Sequence, residues 1–225
     1  MRRLFFFVLF TGLVAGSELE DARDRQDRAA LEKSIAALQA TASAQPANAA
    51  AQYRVALAQS YLSEIALELR DKSLARAGAE AGMSAAKRAL EIKPDDAEYH
   101  RILGTLCGQV IPANVLAGLR YGRCALDSIK KAIELNPKSS NAWLSRGVGN
   151  YYLPESFGGG VKLAIADFEK AIQLNPKSAD AHLWLGIALR KAGRNPDARK
   201  ALSRSVELNP KRVWTRQQLE KTPAQ

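Results

Sequence analysis

Apolar residues recur at steps of three and four along most of the chain, which is the spacing of one face of an α-helix. Clear examples are AIADFEKAIQL at 164–174 and ARKALSRSVEL at 198–208. Such helical patterns stop at a proline-containing turn and restart two residues after the proline, so the chain is predicted to be all-α. At each restart stands a side chain that can accept hydrogen bonds from free helical N–H groups: Asn48, Asp96, Ser139 and Ser178.

The turns between these helical patterns are themselves repeated. The segments ELNPKSSNAW (134–143), QLNPKSADAH (173–182) and ELNPKRVWTR (207–216) share one frame, and EIKPDDAEYH (91–100) joins them. A repeated turn implies a repeated unit. Each unit is therefore predicted to be a pair of antiparallel helices, A and B, stacked on its neighbours.

Small, large and proline residues fall at the same positions of successive units. In the last unit they are Leu185, Gly186, Ala198, Leu202 and Pro210. Earlier units repeat the frame with Trp143, Gly147, Ala164, Phe168, Ala171 and Pro176, and with Gly104, Ala125, Ile129, Ala132 and Pro137. These spacings make the chain resemble the tetratricopeptide repeat (TPR) family, whose unit has 34 residues. The resemblance covers roughly residues 47–212 and implies a right-handed superhelical solenoid with repeats at about 47–94, 95–137, 138–176 and 177–210.

The repeat prolines are 48, 43, 39 and 34 residues apart, so the first three units exceed the ordinary length. Every excess lies between helix A and helix B. The sequence predicts lengthened helices in the first unit, a break at Pro112 in the second, and an inserted loop at 153–160 in the third. All insertions emerge from one edge of a stacked solenoid, so they form an elaborated rim that is one candidate site, around Pro112 and Phe157.

Residues 1–16 have the organisation of a secretory signal peptide. Two arginines precede an apolar run at 4–14, which is too short to span a bilayer, and small residues follow it. Cleavage is predicted before Ser17 or Glu18, giving an exported, soluble protein that is periplasmic or secreted. An export signal on a repeat fold of this kind indicates the bacterial cell envelope.

The predicted solenoid is flanked by capping segments. Residues 17–46 are predicted to contain a charged N-terminal segment followed by a capping helix, and the charged residues 17–28 are expected to lie in solvent. Residues 213–225 are predicted to form a C-terminal capping helix and tail, since the end faces of a solenoid need covering.

The formal net charge is +10, and most of it lies near the C-terminus. Ten basic and three acidic residues lie between Gly186 and Lys221. Two interpretations stay open: solvated helix faces, or an anionic partner such as an acidic protein, a polyanionic glycan or a membrane surface contacted only peripherally. Export argues against nucleic acid as a partner.

The sequence has little that indicates catalysis. His100 and His182 occupy the slot that holds Trp143 in the third unit, so both are predicted to pack. No recognisable metal-ligand or catalytic-triad motif is present, which predicts no enzyme activity, no metal and no cofactor. Glycines 158–160 precede a helix and are interpreted as a flexible turn, with anion binding as the alternative.

Two cysteines occur, Cys107 late in helix A of the second unit and Cys124 in its helix B. An export compartment permits their oxidation, and antiparallel helices would bring them roughly into the same layer. The sequence leaves two alternatives open, a disulfide bridge or two buried thiols.

The resemblance places helix A on the concave wall of the solenoid. Tyr and Arg are frequent at interface hot spots, so this wall is predicted to bind an extended peptide with apolar side chains and an acidic group. The predicted function is a protein–protein interaction scaffold in the bacterial envelope. The alternative is an apolar-ligand-handling accessory protein, because the loop at 154–160 locally resembles the T component of TRAP transporters. The predicted inward-facing residues are Tyr53, Tyr61, Arg101, Leu144, Tyr151, Tyr152, Leu183, Ile187 and Arg190.

Overall fold

The computed structural model describes residues 14–113 and 115–224. Over these ranges the chain forms eleven α-helices and no strand, which confirms the all-α prediction. The predicted signal peptide lies outside the described residues except for its last three positions, which begin the first helix. The helices are α1 Val14–Asp24, α2 Arg28–Ala44, α3 Ala49–Glu68, α4 Lys72–Ile92, α5 Ala97–Val110, α6 Val115–Leu135, α7 Ser140–Tyr152, α8 Val161–Leu174, α9 Ala179–Lys191, α10 Asn195–Leu208 and α11 Val213–Glu220.

Consecutive helices pack in pairs, and each pair packs on the next. The repeats are α3 with α4, α5 with α6, α7 with α8, and α9 with α10. The predicted lengthening is confirmed in the first repeat, where α3 and α4 have 20 and 21 residues. Pro112 lies in a short 3₁₀ segment before α6, and the loop between α7 and α8 contains a second one at Glu155–Phe157.

The predicted restart residues cap the A helices. The side chain of each accepts a hydrogen bond from the backbone N–H three residues later, as in Asn48 with Ala51 at 3.2 Å and Ser178 with Ala181 at 3.3 Å. Asp96 and Ser139 do the same at the start of α5 and α7. The proline turns therefore end one helix and fix the start of the next.

Glycine allows helix A and helix B to approach closely in three repeats. A Cβ atom at Gly147 would lie 2.5 Å from the Phe168 ring, and one at Gly186 would lie 2.5 Å from Leu202. Gly104 stands in the same relation to Ile129. The large residue of helix B fills the space that the missing side chain leaves, which is the packing predicted from the repeat frame.

The N-terminal segment differs from the prediction that residues 17–28 lie in solvent. Leu19 and Ala22 of α1 are buried against Leu31, Leu62 and Ile65. Arg23 and Asp24 at the end of α1 are also buried, because both find oppositely charged partners in the C-terminal half of the chain. Arg23 and Asp24 therefore form internal ion pairs, whereas most other charged side chains of the segment are exposed.

Among residues 14–113 and 115–224, no helix combines the length and apolarity needed to cross a bilayer.

Candidate functional site

Two predicted groove residues, Tyr53 on α3 and Arg101 on α5, are bonded to the same carboxylate, that of Glu98. The Tyr53 hydroxyl donates to Glu98 at 2.9 Å, and Arg101 donates to both carboxylate oxygens of Glu98, at 2.8 and 2.5 Å. Tyr53 also stacks on Tyr99, with ring centroids 5.2 Å apart. Burial opposes ionisation of Glu98, but Arg101 and the hydrogen bonds outweigh it and lower the pKa of this carboxyl.

Arg101 continues this contact chain from α5 to α7. Its Nη1 lies 3.4 Å from the Ser145 hydroxyl, which is itself 3.2 Å from the Thr105 hydroxyl. The Arg101 side chain is only 12% exposed. Arg101, which the sequence assigned to the groove, is thus paired with Glu98 and ties two repeats together.

Tyr61 is covered by the chain's own N-terminal helix. The Arg23 guanidinium of α1 lies 4.9 Å above the Tyr61 ring, and Arg23 Nη1 donates to Asp180 of α9 at 2.9 Å. Burial raises the pKa of Tyr61 to about 12. The end of α1 therefore lies over Tyr61, which the sequence assigned to the groove.

The groove residues predicted on α9 are covered at the other end. Leu183 and Ile187 are buried with Leu202, Trp214 and Leu219, so α11 packs where a ligand was expected. Arg190 donates to the Gln218 carbonyl oxygen at 3.0 Å and to the Gln218 side chain at 2.7 Å. The terminal cap therefore covers the α9 surface that the sequence assigned to the groove.

An aromatic cluster, formed by Tyr151, Tyr152, Trp184 and Trp214, lies between the covered ends. The Trp184 ring centroid is 5.8 Å from that of Tyr151, 6.1 Å from Tyr152 and 5.4 Å from Trp214. Tyr152 is 60% exposed, and Lys191 Nζ lies 4.3 Å from the Tyr151 ring centroid. Leu144, also predicted in the groove, is partly buried against the neighbouring core around Phe168. The structure thus brings Tyr151 and Tyr152 together as an accessible aromatic surface.

Sequence reasoning missed Trp184, Trp214 and Lys191. Trp214 belongs to the predicted cap, and counting positions along helix A alone excluded it. Trp184 and Lys191 follow Leu183 and Arg190 by one residue. The prediction counted only one row of inward-facing positions along helix A. Including the neighbouring row would have added Trp184 and Lys191.

Buried ion pairs close the N-terminal half of the chain onto the C-terminal half. Arg212, before α11, is 1% exposed and pairs with Glu64 at 2.7 Å and with Glu68, both near the end of α3. Asn209, in the same turn, donates to Asp24 at 2.6 Å. Burial raises the pKa of Glu68 to about 7, although Arg212 acts in the opposite direction.

The two cysteines form a disulfide between α5 and α6, with a Cα–Cα distance of 6.0 Å. Of the two alternatives left by the sequence, the structure thus has the bridge. The predicted slot equivalence of His100, Trp143 and His182 also has a geometric basis. The ring nitrogen of each lies 2.7 to 3.2 Å from the carbonyl oxygen of its repeat proline. These rings therefore form hydrogen bonds that stabilise the proline turns.

The glycine turn at 158–160 is held by backbone hydrogen bonds within the chain. Gly158 and Gly160 have φ values of 84° and 113°, a region that favours glycine, and the Gly160 N–H donates to the Asn150 carbonyl at 2.9 Å. Within residues 14–113 and 115–224, no group of three or more His, Cys, Asp or Glu side chains is placed to hold a metal ion.

An open cleft of about 540 Å³ lies at the turns before α3 and α5. Its walls include Pro46, Ile92, Lys93 and Tyr99. The cleft is lined mostly by turn backbone and small side chains, so we place the candidate site at the aromatic cluster.

Comparison with known proteins agrees with this architecture. A tetratricopeptide repeat model matches residues 158–213. A TPR protein of Thermus thermophilus, TTC0263, superposes with a TM-score of 0.64 at 17% identity, over 92% of this chain and 97% of its own. The HusA haemophore of Porphyromonas gingivalis superposes with a TM-score of 0.61 at 16% identity, over 80% of this chain and 95% of its own. At these identities the likeness shows the fold: the chain is a TPR solenoid protein.

A second family model covers the N-terminal part. It is described as regulator of microtubule dynamics protein 1-3 and matches residues 17–155, more than half of the chain. The chain belongs to this family. The search of curated proteins found no significant match to this chain.

Proposed function

We propose that this protein is an exported, non-enzymatic interaction scaffold of the bacterial cell envelope, which binds an extended segment of a partner protein at the aromatic cluster. TPR proteins generally bind protein or peptide partners. The second family is described as a regulator, and a TPR fold is compatible with a regulator that acts by binding other proteins. The export proposal depends on the signal-peptide pattern of residues 1–16.

The observation that carries the binding proposal is the exposure of Tyr152. This ring is 60% exposed while Tyr151 and Trp184 hold it edge-on, and Trp214 in turn packs on Trp184. An aromatic surface of this kind offers area without the entropy cost of a flexible side chain, which is typical of interface hot spots. The other predicted groove residues are largely covered, so the open surface is smaller than the sequence predicted.

The charge beside the cluster favours a partner with an acidic group. Lys191 lies above Tyr151 and is exposed, and its Nζ donates to the Tyr151 carbonyl oxygen at 3.2 Å. Arg101 is neutralised by Glu98, so Lys191 is the cation that we propose for the acidic group of the partner. We therefore propose a segment that places an apolar side chain on Tyr152 and a carboxylate near Lys191.

Peptide display tests this proposal. A random peptide library is selected on the wild-type chain, and enriched peptides are titrated against Tyr152→Ala and against Phe157→Ala, an exposed aromatic away from the cluster. The expected result is about a tenfold or greater loss of affinity for Tyr152→Ala, with no loss for Phe157→Ala. Enriched peptides that bind both variants as tightly as wild type would place the site elsewhere.

A further inference from the structure

Helix α6 presents an unpartnered face of alternating leucine and basic residues. Leu119, Arg123, Leu126 and Lys130 are spaced so that they fall on one side of the helix. Leu119 is 86% exposed and the Arg123 side chain is 91% exposed, so this side faces outward along its length. A Cβ atom added at the intervening Gly122 would meet no atom within 4 Å, which leaves the face unobstructed.

The next helix-to-helix connection adds apolar side chains at the same edge. Phe157, in the loop between α7 and α8, is 76% exposed, and Leu163 in the first turn of α8 is about half exposed. Helices α5 and α7 are bonded side by side through Thr105 and Ser145. The connections that follow α5 and α7 are therefore neighbours on one edge of the solenoid. We call Leu119, Arg123, Leu126, Phe157 and Leu163 together the rim patch.

Basic side chains accompany these apolar ones. Arg120 and Lys162 are exposed beside Leu119 and Leu163, and residues 115–126 contain no acidic residue. Farther along α6 the charges balance, because Asp127 pairs with Arg123 at 3.3 Å and Glu134 with Lys130 at 3.8 Å. Arg120 and Lys162 therefore supply the net positive charge at the patch. Glu155 is the exposed acid of the neighbouring loop. The chain as a whole is also basic, although most of its net charge lies between Gly186 and Lys221, so the side chains beside the patch carry the local attraction to anionic surfaces.

We propose that the rim patch docks the protein peripherally on an anionic lipid bilayer. The apolar side chains protrude singly from a helix and a loop, and a bilayer accepts such side chains without requiring matching pockets. Arginine and lysine beside them can stay at the level of the lipid headgroups while the apolar tips enter the acyl region. The rim patch shares no residue with the aromatic cluster, so the proposal leaves the cluster for a partner segment.

Vesicle co-sedimentation tests the proposal with the chain that begins at Ser17, which lacks the apolar run at 4–14. The probes are vesicles of pure phosphatidylcholine and vesicles of phosphatidylcholine mixed with phosphatidylglycerol. Wild type is expected to partition onto the anionic vesicles at least about tenfold more strongly than onto the neutral ones, with salt weakening the binding. Equal partitioning onto both vesicle types, or none onto either, would overturn the proposal.

Two pairs of variants locate the docking surface. The apolar variant Leu119→Ser with Phe157→Ser is compared with Ile92→Ser, a half-exposed apolar residue at the opposite edge. The charge variant Arg120→Glu with Arg123→Glu is compared with Lys87→Glu with Arg88→Glu on the exposed face of α4. Each rim variant is expected to lower partitioning about tenfold and each control less than about twofold. Controls that lose as much binding as the rim variants would contradict a rim-specific site.

Sedimentation velocity distinguishes the lipid surface from a second copy of the chain. A wild-type dimer that the Leu119→Ser, Phe157→Ser variant dissociates, without vesicle binding by wild type, would show that the rim patch pairs with itself and would overturn the lipid proposal. Because all substituted side chains are exposed, the helical melting curves of the variants are expected to match that of wild type.

Discussion

Arg212 and Glu68 are 144 residues apart in sequence and form a buried ion pair, in which Arg212 Nη1 donates to Glu68 Oε2 at 3.2 Å. The same guanidinium donates to Glu64, and the Arg23 carbonyl oxygen accepts from it at 3.2 Å. Arg212 therefore joins the end of α3, the end of α1 and the turn before α11. It fixes the first and last units of the solenoid relative to each other.

Replacing Arg212 is expected to destabilise the protein strongly. Arg212→Met would leave Glu64, Glu68 and Asp24 without their shared cation, and breaking a buried pair by removing one partner costs about 3–5 kcal/mol. Urea unfolding, monitored by circular dichroism, measures the loss of unfolding free energy. The matched control is Arg204→Met, which removes an exposed pair with Glu207 and is expected to cost less than about 1 kcal/mol. Equal losses of unfolding free energy in the two variants would show that Arg212 has no special role in joining the two ends of the chain.

Glu68 is expected to make stability depend on pH. Burial raises its pKa from 4.5 to about 7, so between these values the folded protein holds a proton that the unfolded chain releases. The contribution of Glu68 to the free energy of unfolding therefore falls as pH rises through this window and levels off above it. Relative to Glu68→Gln, which cannot titrate, wild type is expected to lose on the order of 2 kcal/mol between pH 5 and pH 8.

The comparison uses urea midpoints at both pH values, with Glu32→Gln as the control. Glu32 is an exposed carboxylate paired with Arg28. A constant difference between wild type and Glu68→Gln at pH 5 and pH 8 would contradict the raised pKa.

Two glycines of α7 are expected to respond oppositely to alanine. At Gly147 a Cβ atom would lie 2.5 Å from Phe168, so Gly147→Ala is expected to cost about 1–3 kcal/mol by overpacking. At Gly149 a Cβ atom would meet nothing within 4 Å, so Gly149→Ala is expected to stabilise the helix by up to about 1 kcal/mol. Thermal unfolding of both variants checks the signs. Destabilisation of similar size at both positions would reject the close contact between α7 and α8.

Local sequence signals predicted the repeats, because the capping and packing contacts of each repeat join residues that are close together in the chain. Capping by Ser139 follows from its place after a proline, and the contact of Gly147 with Phe168 follows from the repeat frame. The ion pairs that join the N-terminal half of the chain to the C-terminal half, which we call the closure, could not be predicted this way. Arg23, Asp24 and Arg212 have no periodic relation to one another, and charged residues near a chain end ordinarily indicate a solvated segment.

The candidate site was predicted only in part for a related reason. Counting positions along helix A identifies which side chains face inward, and this assigned Tyr151 and Tyr152 to the groove. It does not show which inward side chains are covered by the chain itself. Tyr61 lies under Arg23, and Leu183 lies under α11, because the two ends of the chain pack onto the concave side.

The disulfide is expected to contribute to stability. Cys107 and Cys124 enclose a loop with a sequence separation of 17, for which loss of the bridge costs about 3 kcal/mol. The variant Cys107→Ala with Cys124→Ala is therefore expected to unfold at lower urea concentration than oxidised wild type. Thiol alkylation of the native, unreduced protein followed by mass spectrometry should add no label. Labelling of either cysteine without reductant would show that the bridge is absent.

Processing at the predicted signal-peptide site is expected to leave the closure intact. A chain beginning at Ser17 keeps Leu19 and Ala22, which are buried against the helices that follow, and keeps the pair between Arg23 and Asp180. A chain beginning at Arg25 loses all of these and leaves Asp180 without the cation of Arg23.

We therefore expect the chain beginning at Arg25 to unfold about 10 °C below the chain beginning at Ser17, since roughly 3 kcal/mol of burial and ion pairing is removed and each kcal/mol corresponds to a few degrees at this size. Terminal sequencing of protein recovered from the envelope gives the natural start, expected at Ser17 or Glu18. A natural start beyond Asp24 would mean that the functional protein lacks the α1 contacts, and the closure by Arg212 would then involve α3 alone.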